Sequence, residues 1–366
     1  MKYINSKILI YSSFISFILS GLFYLADGNI FTGIFLTLAL LLLATGLNYI
    51  DKYKGLTYPI VILGVVSLAL FFPQYFVQVG DFKFSSLILP LLQIIMFGMG
   101  TTMTFNDFIG IIKTPRAVMI GLSCQFMIMP FLGFGIATVF GFPAEVAAGI
   151  VLIGSSPSGL ASNVMTLIAK ANIALSITIT TFATILAPII TPIMMKWLGG
   201  EFIAIDFWSM MWDIVQIIII PLSIGFLINQ FFTRLAQALR RYLPLISMAG
   251  IALILLVIIA AGRDSLLNVG LLLLFAVLLH NILGYCLGYG AAKLFGMSKQ
   301  DCRTIALEVG QQNGGLAAGL ANQMGKIATV GLAPALFGTI MNISGSILAG
   351  WWGSDEANPT STDQPS

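Results

Sequence analysis

Apolar residues run along this chain in stretches of about 20, each closed by a short polar or glycine-containing break, and that pattern predicts twelve membrane spans. They cover about residues 8–26, 30–50, 58–79, 85–106, 116–140, 144–169, 173–197, 211–232, 243–261, 266–294, 302–325 and 329–352. A helix rising 1.5 Å per residue needs roughly 20 residues to cross a hydrocarbon core about 30 Å thick. The first run follows Lys2 and Lys7, as in a signal peptide. It is long for one, however, no A-x-A site follows it, and a second run begins almost at once. Residues 1–55 therefore read as a retained transmembrane hairpin and residues 56–352 as ten further spans. The polar tail 353–366, GSDEANPTSTDQPS, is expected to be disordered.

Two spans are interrupted by similar stretches. Residues 154–161 (GSSPSGLA) in the sixth span and 310–317 (GQQNGGLA) in the eleventh share the skeleton G-x-x-x-x-G-L-A at an offset of 156 residues. Each is the fourth of five spans, in sets covering about 58–197 and 211–352. Five is odd, so the two sets run oppositely through the membrane, as an inverted repeat. Glycine is common in membrane helices, and chance recurrence is the plainer explanation. Four matching positions at symmetry-related places weigh against it. The expected fold is thus an all-α membrane protein: an inverted 5+5 helix repeat with two broken, crossing helices, plus two extra N-terminal transmembrane helices.

Composition fixes the class. Of 366 residues 58% are hydrophobic and 8% charged, against about 25% charged in soluble domains. The formal charge of +3 is spread over loops, so no basic patch for nucleic acid exists. With the N-terminus taken as cytoplasmic, 13 Lys and Arg lie inside and 4 (Lys83, Lys196, Arg263, Lys326) outside. An even span count then puts both termini in the cytoplasm. Cys124, Cys286 and Cys302 are too far apart to form a metal or redox spacing.

The polar residues inside the spans are nearly all neutral oxygen donors. Glu308 is the only carboxylate placed deep in a span, and an intramembrane charge usually marks an ion or substrate path. Gln312 follows four residues later on the same helical face, with Asn313 beside it. Ser155, Ser156, Ser158, Ser162 and Asn163 cluster around Pro157 and Gly159, and Ser176 and Thr180 are again four apart. Gln125 pairs with Asn281, next to His280, at the same 156-residue offset, and Asn342, Ser344 and Ser346 lie in the last span. Such donors suit a hard cation, although any single Ser also serves close helix packing. Opened helices near Gly159–Ser162 and Gly314–Leu316 would expose N-terminal N–H groups, which favour an anion. No Lys or Arg in the core spans is expected to do that job instead, so an organic carboxylate is the favoured substrate type.

The stretches FGMGTTMTFNDF (97–108), PSGLASNVMTLIAKANIALSITIT (157–180), LHNILGY (279–285), ALEVGQQNGGLAA (306–318) and NISGS (342–346) resemble the bile acid:sodium symporter family and its bacterial members, over about residues 58–352. The resemblance implies a ten-helix inverted repeat, divided into a panel at about 58–106 and 211–261 and a core at about 116–197 and 266–352. It implies two Na⁺ sites and no organic cofactor. One site would use Ser162, Asn163, Ser176, Thr180 and Glu308. The second would use Gln125, Glu308, Val309, Gln311 and Gln312, with Val309 and Gln311 giving backbone carbonyls and Gln312 its side chain. Substrate-binding positions would be Gly159, Leu160, Ala161, Asn313, Gly314, Met341 and Asn342. Many bacterial relatives carry Thr at the place of Leu160 and His at that of Met341, so the expected substrate has fewer hydroxyls or a more apolar body. The hairpin 1–55 stands outside the family pattern.

The function expected from all this is a sodium-coupled symporter that imports a small organic anion by alternating access, multi-pass in the cell (inner) membrane, and no enzyme. The alternative, a proton-coupled or uncoupled organic anion or metalloid efflux carrier on the same fold, would recast Glu308, with His280, as a proton site. Metalloid efflux would need the Cys124 thiolate in the path, and an intramembrane hydrolase would need a paired-acid, Ser–base or H-E-x-x-H motif, none of which is present.

Overall fold

The computed structural model describes residues 2–26 and 28–355 and is helical almost throughout. Among these residues ten helices are long and apolar enough to cross a membrane. In chain order the helices begin with α1 (Lys2–Leu25), α2 (Asn29–Asn48), α3 (Thr57–Phe71), the short α4 (Gln74–Val77), α5 (Ile88–Thr102) and α6 (Phe105–Lys113). Next come α7 (Pro115–Phe140), the half-length α8 (Ala144–Ser155) and α9 (Ala161–Ile168), and α10 (Ile173–Trp197). One span is split into α11 (Phe207–Ile214) and α12 (Ile220–Phe231) by a widened π turn just before Pro221, whose missing N–H already interrupts the ladder. The chain continues through α13 (Thr233–Arg240), α14 (Leu243–Ala261), α15 (Arg263–Leu294), the half-length α16 (Lys299–Gly310) and α17 (Gly314–Gln323), and α18 (Leu332–Asp355). Counting each pair of half-helices as one pass reproduces the twelve predicted spans.

Besides the earlier start of α1, at Lys2, three boundaries differ for a clear local reason. The third span stops at Phe71 rather than 79, because Pro73 has no N–H to continue the helix and disfavours helical geometry at Phe72. The apolar residues beyond it form α4 and a hairpin, β1 (Gln78–Val79) against β2 (Phe82–Lys83). The fourth span stops at Thr102, and the predicted end of that run belongs to α6, opened by a capping box between Thr104 and Asp107. At the other end α18 runs on to Asp355, held by Arg303 at 2.5 Å and Lys299 at 3.3 Å. The rest of the predicted disordered tail, 356–366, lies outside the described residues.

Small residues set the packing, as expected where lipid tails leave no hydrophobic force between helices. Ser6, Ser13, Ser16 and Ser20 are buried along one side of α1, and Ser6 Oγ donates to Gly46 O (3.0 Å) and Ser20 Oγ to Thr32 O (3.1 Å) of α2. The outer face of α1, with Phe14, Phe17, Ile18 and Leu22, is exposed. The hairpin packs on through α2 against α3, where Thr37 and Ser67 share a hydrogen bond of 3.1 Å. Beyond it, α3, α5, α12 and α14 pack together, and α7, α8, α10, α15, α16 and α18 form a second group.

Candidate substrate and cation site

The two interrupted spans meet at their breaks. Pro157 cannot continue α8, and Ser156 is already extended. Gly159 N–H donates to Gln311 O (2.7 Å) and Asn313 N–H to Pro157 O (2.8 Å), so Ser158 and Gln312 pair as a one-rung antiparallel bridge. Backbone groups freed in the membrane interior thereby satisfy each other, the condition for irregular chain at that depth. Gly159 is required by the close approach: a Cβ there would lie 2.9 Å from Gln312 O. The new half-helices start at the crossing, α9 at Ala161 and α17 at Gly314, with Asn313 Oδ1 capping Leu316 N–H at 3.0 Å.

The 156-residue offset between Gln125 and Asn281 acquires a physical meaning. Gln125 Nε2 donates to Ser156 O (3.1 Å) just past the end of α8, and Asn281 Nδ2 donates to Gly310 O (2.8 Å) at the end of α16. Each long neighbouring helix thus lends one amide to the end of its own broken span. Ser344 Oγ donates to Asn281 Oδ1 at 2.5 Å and fixes the amide's orientation. The sequence marked these positions by the offset but gave no role to Asn281.

Glu308, fully buried in the last turn of α16, collects the first expected ligand set. Ser176 Oγ donates to its Oε1 (2.5 Å) and Thr180 Oγ1 to its Oε2 (2.9 Å). The four-residue spacing on α10 delivers both hydroxyls to one face. Ser176 Oγ also lies 2.8 Å from Asn163 Oδ1, and Ser162 Oγ 3.2 Å from Thr180 Oγ1. All five residues therefore surround one carboxylate, and among the described residues no Lys or Arg forms an ion pair with it.

The second set gathers around Gln312. Gln125 Nε2 also donates to Gln312 Oε1 (2.9 Å), and Gln312 Nε2 donates to Val309 O (2.6 Å). The Gln311 carbonyl accepts Gly159 N–H, while its side chain runs to Tyr285 OH (2.6 Å) and Met341 O (2.7 Å). Gln125 Oε1, Gln311 Oε1 and Ser158 Oγ are buried without a hydrogen-bond partner. Buried polar atoms are normally paired, so oxygens left over in this way suit a cation.

Beside the crossing lies a cavity of about 390 Å³. Gly159, Leu160, Ala161, Asn313, Gly314, Met341 and Asn342, the whole expected substrate set, line it. Asn342 Nδ2 is spent on Gly338 O (2.7 Å), which leaves its Oδ1 to the cavity, whereas the cap at Leu316 leaves Asn313 its Nδ2. The facing wall is aliphatic, with Ile62 of α3, Met96 of α5 and Ile254 and Leu255 of α14. The sequence did not single these out, because apolar residues in apolar spans carry no signal. Among the described residues no Lys, Arg or His lines the cavity. The expectation that the core spans lack Lys and Arg needs one correction: Arg303 is buried in α16. Its guanidinium reaches away from the break to Trp352 O (3.3 Å) and Asp355 (2.5 Å) at the end of α18.

His280 is fully buried, with Nε2 3.0 Å from Met129 O and its ring edge-on to Phe337. It lines neither the cavity nor the Glu308 cluster, and the buried Cys124 is likewise absent from the cavity wall.

Comparison with known proteins agrees with this architecture. The model of the sodium bile acid symporter family matches residues 89–269. YocS of Bacillus subtilis (strain 168), named an uncharacterized sodium-dependent transporter, is 38% identical over 304 residues, 83% of this chain and 92% of that protein. The chloroplastic BASS1 of Arabidopsis thaliana, named a probable sodium/metabolite cotransporter, is 32% identical over 261 residues, 71% of this chain and 65% of its own. Its counterpart from Oryza sativa subsp. japonica is 30% identical over 308 residues, 83% and 74% of the two chains. With ten full-length apolar helices and two broken, crossing passes among the described residues, and a relative matched over nearly its whole length, this multi-pass membrane protein belongs to the sodium bile acid symporter family, a family of transporters and not of enzymes.

Proposed function

We propose that the protein imports a small organic anion coupled to Na⁺ by alternating access. The observation that carries this reading is Glu308, a buried carboxylate held by hydroxyls beside a helix crossing. One Na⁺ would sit among Ser162, Asn163, Ser176, Thr180 and Glu308, and a second among Gln125, Glu308, Gln312 and the carbonyls of Val309 and Gln311. Those two carbonyls already accept one N–H each and keep a second lone pair. The names of the relatives, which describe sodium-dependent transport, support the choice of cation.

The anion would bind in the cavity, against Asn313 and the first free N–H groups of α17, with its apolar body toward Met341, Leu160 and the aliphatic wall. Helix N-termini carry about half a positive charge and suit a carboxylate where no side-chain cation is present. The two packing groups would be the moving parts: α3, α5, α12 and α14 as a panel, and α7–α10 with α15–α18 as a core. Sodium, by fixing Glu308 against α9 and α10, would hold the crossing ready for the anion.

The experiment uses melting temperature and vesicle uptake together. Na⁺, unlike K⁺ or choline, should raise the melting temperature, and carboxylates with apolar bodies should raise it further only with Na⁺ present. Linkage requires that reciprocity if one state binds both. Uptake indifferent to Na⁺ at fixed pH, but lost with the proton gradient, would replace this reading by the proton-coupled carrier.

The charge split of 13 to 4 supports an inner-membrane orientation with both termini in the cytoplasm. Reporter fusions near Lys54 and Arg240 should then report the same side. Opposite sides would remove the orientation and the repeat pairing with it.

A further inference from the structure

None of Ser162, Asn163, Ser176, Thr180 and Glu308 lines the cavity, and only Ser158, in the cavity wall beside Glu308, stands between the two. A polar path leads from the cluster in another direction. On α16, Asp301, Thr304 and Glu308 follow at helical spacing on one face. Facing them, Asn172 caps the start of α10, and Ser176 and Thr180 continue at four-residue steps. The two stripes are bonded rung by rung. Asn172 Nδ2 donates to Asp301 Oδ1 (2.8 Å), and Asn172 N–H donates to Thr304 Oγ1 (2.9 Å). Ser176 and Thr180 then hold Glu308. Burial rises along the path, from half-buried Asn172 and Asp301 to fully buried Thr304, Ser176 and Glu308. The third wall is α9, which packs on both α10 and α16. There Thr166, one turn past Ser162, has a fully buried Oγ1 with no hydrogen-bond partner.

The inverted repeat shows that the fold does not demand these residues. The 156-residue offset maps Asp301, Thr304 and Glu308 onto Glu145, Ala148 and Leu152, and Asn172, Ser176 and Thr180 onto Ala328, Leu332 and Leu336. Only the outermost acid is kept in the mate, and there it is neutralised: Lys326 pairs with Glu145, and Thr329 Oγ1 donates to it at 2.6 Å. Lys170, the equivalent of Lys326 by the same offset, forms no such pair with Asp301, whose carboxylate is met instead by the Asn172 amide. Apart from Asn322, at the place of Thr166, the mate seam is apolar and capped by a cation; the other is lined with oxygens and ends in an acid that has no ion-pair partner among the described residues.

We propose that Na⁺ exchanges between the Glu308 cluster and the face bearing Asn172 and Asp301 along this seam between α9, α10 and α16, separately from the substrate cavity. Asp301 and Asn172 form its outer station and Thr304 with Thr166 the intermediate one. The proposal rests on the sodium reading above and assigns these four residues to cation passage. Hydroxyl and amide oxygens at intervals of one helical turn replace part of the ion's hydration at each step, as oxygens do in selective pathways. The face concerned is cytoplasmic in the orientation proposed above, so the seam releases the ion inside while the anion leaves through the cavity.

Charge displacement after a Na⁺ concentration jump, with no substrate, tests this on inside-out vesicles adsorbed to a sensor. Thr304→Val replaces the hydroxyl by a methyl group of the same shape. It should lengthen the decay time at least about tenfold, which corresponds to ~1.4 kcal/mol in the barrier. The Na⁺ concentration giving half-maximal charge should stay within about twofold, because the Glu308 cluster is intact. Thr304→Ser should restore the wild-type rate, and Asp301→Asn, which keeps the Asn172 contact, should slow the jump as well. An unchanged decay in both Thr304→Val and Asp301→Asn overturns the seam. So does a decay lengthened by Ser247→Trp, a plug in the cavity wall, but not by Thr304→Val. Wild-type protein with no charge movement and no Na⁺-specific rise in melting temperature overturns the sodium reading itself.

Discussion

Glu308→Ala is expected to abolish the Na⁺ response outright: no Na⁺-specific rise in melting temperature, and uptake at least about a hundredfold below wild type, a loss of ~2.7 kcal/mol or more. The size follows from its position. Its two oxygens are the acceptors for Ser176 and Thr180, and it is the acidic member of both proposed ligand sets. Without it the site offers only neutral dipoles, and a cation in a low-dielectric interior is costly unless a full charge is near. Losing a neutral ligand should cost less. Asn163→Ala removes an amide oxygen 2.8 Å from Ser176 Oγ but leaves the carboxylate. It should therefore shift the half-saturating Na⁺ concentration upward without erasing the response. If Glu308→Ala folds and still responds to Na⁺ while Asn163→Ala does not, the carboxylate is not the coupling group.

The second large effect concerns the fold. Gly100 of α5 and Gly225 of α12 face each other's helices at backbone distance. A Cβ at Gly100 would fall 2.0 Å from Leu222 O, and one at Gly225 would fall 2.2 Å from Phe97 O. The obstacle in each case is a main-chain carbonyl, which cannot swing aside as a side chain can. Overpacking typically costs 1–3 kcal/mol even where side chains can adjust. Gly100→Val and Gly225→Val should therefore each lower the melting temperature in detergent by several degrees or prevent accumulation of folded protein. Gly290→Val on α15, where nothing lies within 4 Å of the Cβ, should leave it nearly unchanged. Equal loss in all three would show that glycine itself, rather than the close crossing, is what these positions need.

Much of the candidate site was legible because membrane sequence is a quiet background. In a chain that is 58% hydrophobic, a carboxylate flanked by Gln, Asn and Gly is conspicuous. Ser176 and Thr180, grouped by helical spacing, came out on a shared face because the 3.6-residue period is local, whereas Gln312 lies past the end of α16 in the extended bridge and does not continue the helical face of Glu308. One expectation yielded to local chemistry and one to a contact distant in the chain. The third span was overlong because apolar composition conceals the stop that Pro73 imposes. Arg303 was overlooked as a buried cation because its partners, Trp352 O and Asp355, are about 50 residues away.

The sequence by itself determined the class, the number of passes, the two interruptions and the oxygen-rich chemistry around Glu308. These follow from segment length, hydropathy and spacing, all of which act over a few helical turns. Only the tertiary structure decided how the pieces meet. The backbone bridge between Ser158 and Gln312 joins residues 154 apart in the chain, and no spacing rule reaches so far. The aliphatic wall of the cavity is drawn from α3, α5 and α14, whose apolar residues look alike in sequence whether they face lipid or substrate. The ladder from Asn172 and Asp301 down to the Glu308 cluster exists because α9, α10 and α16 pack along one seam. Helix–helix contact in a membrane is set by close fit and paired polar groups rather than by burial, and that information lies in the three-dimensional match of surfaces.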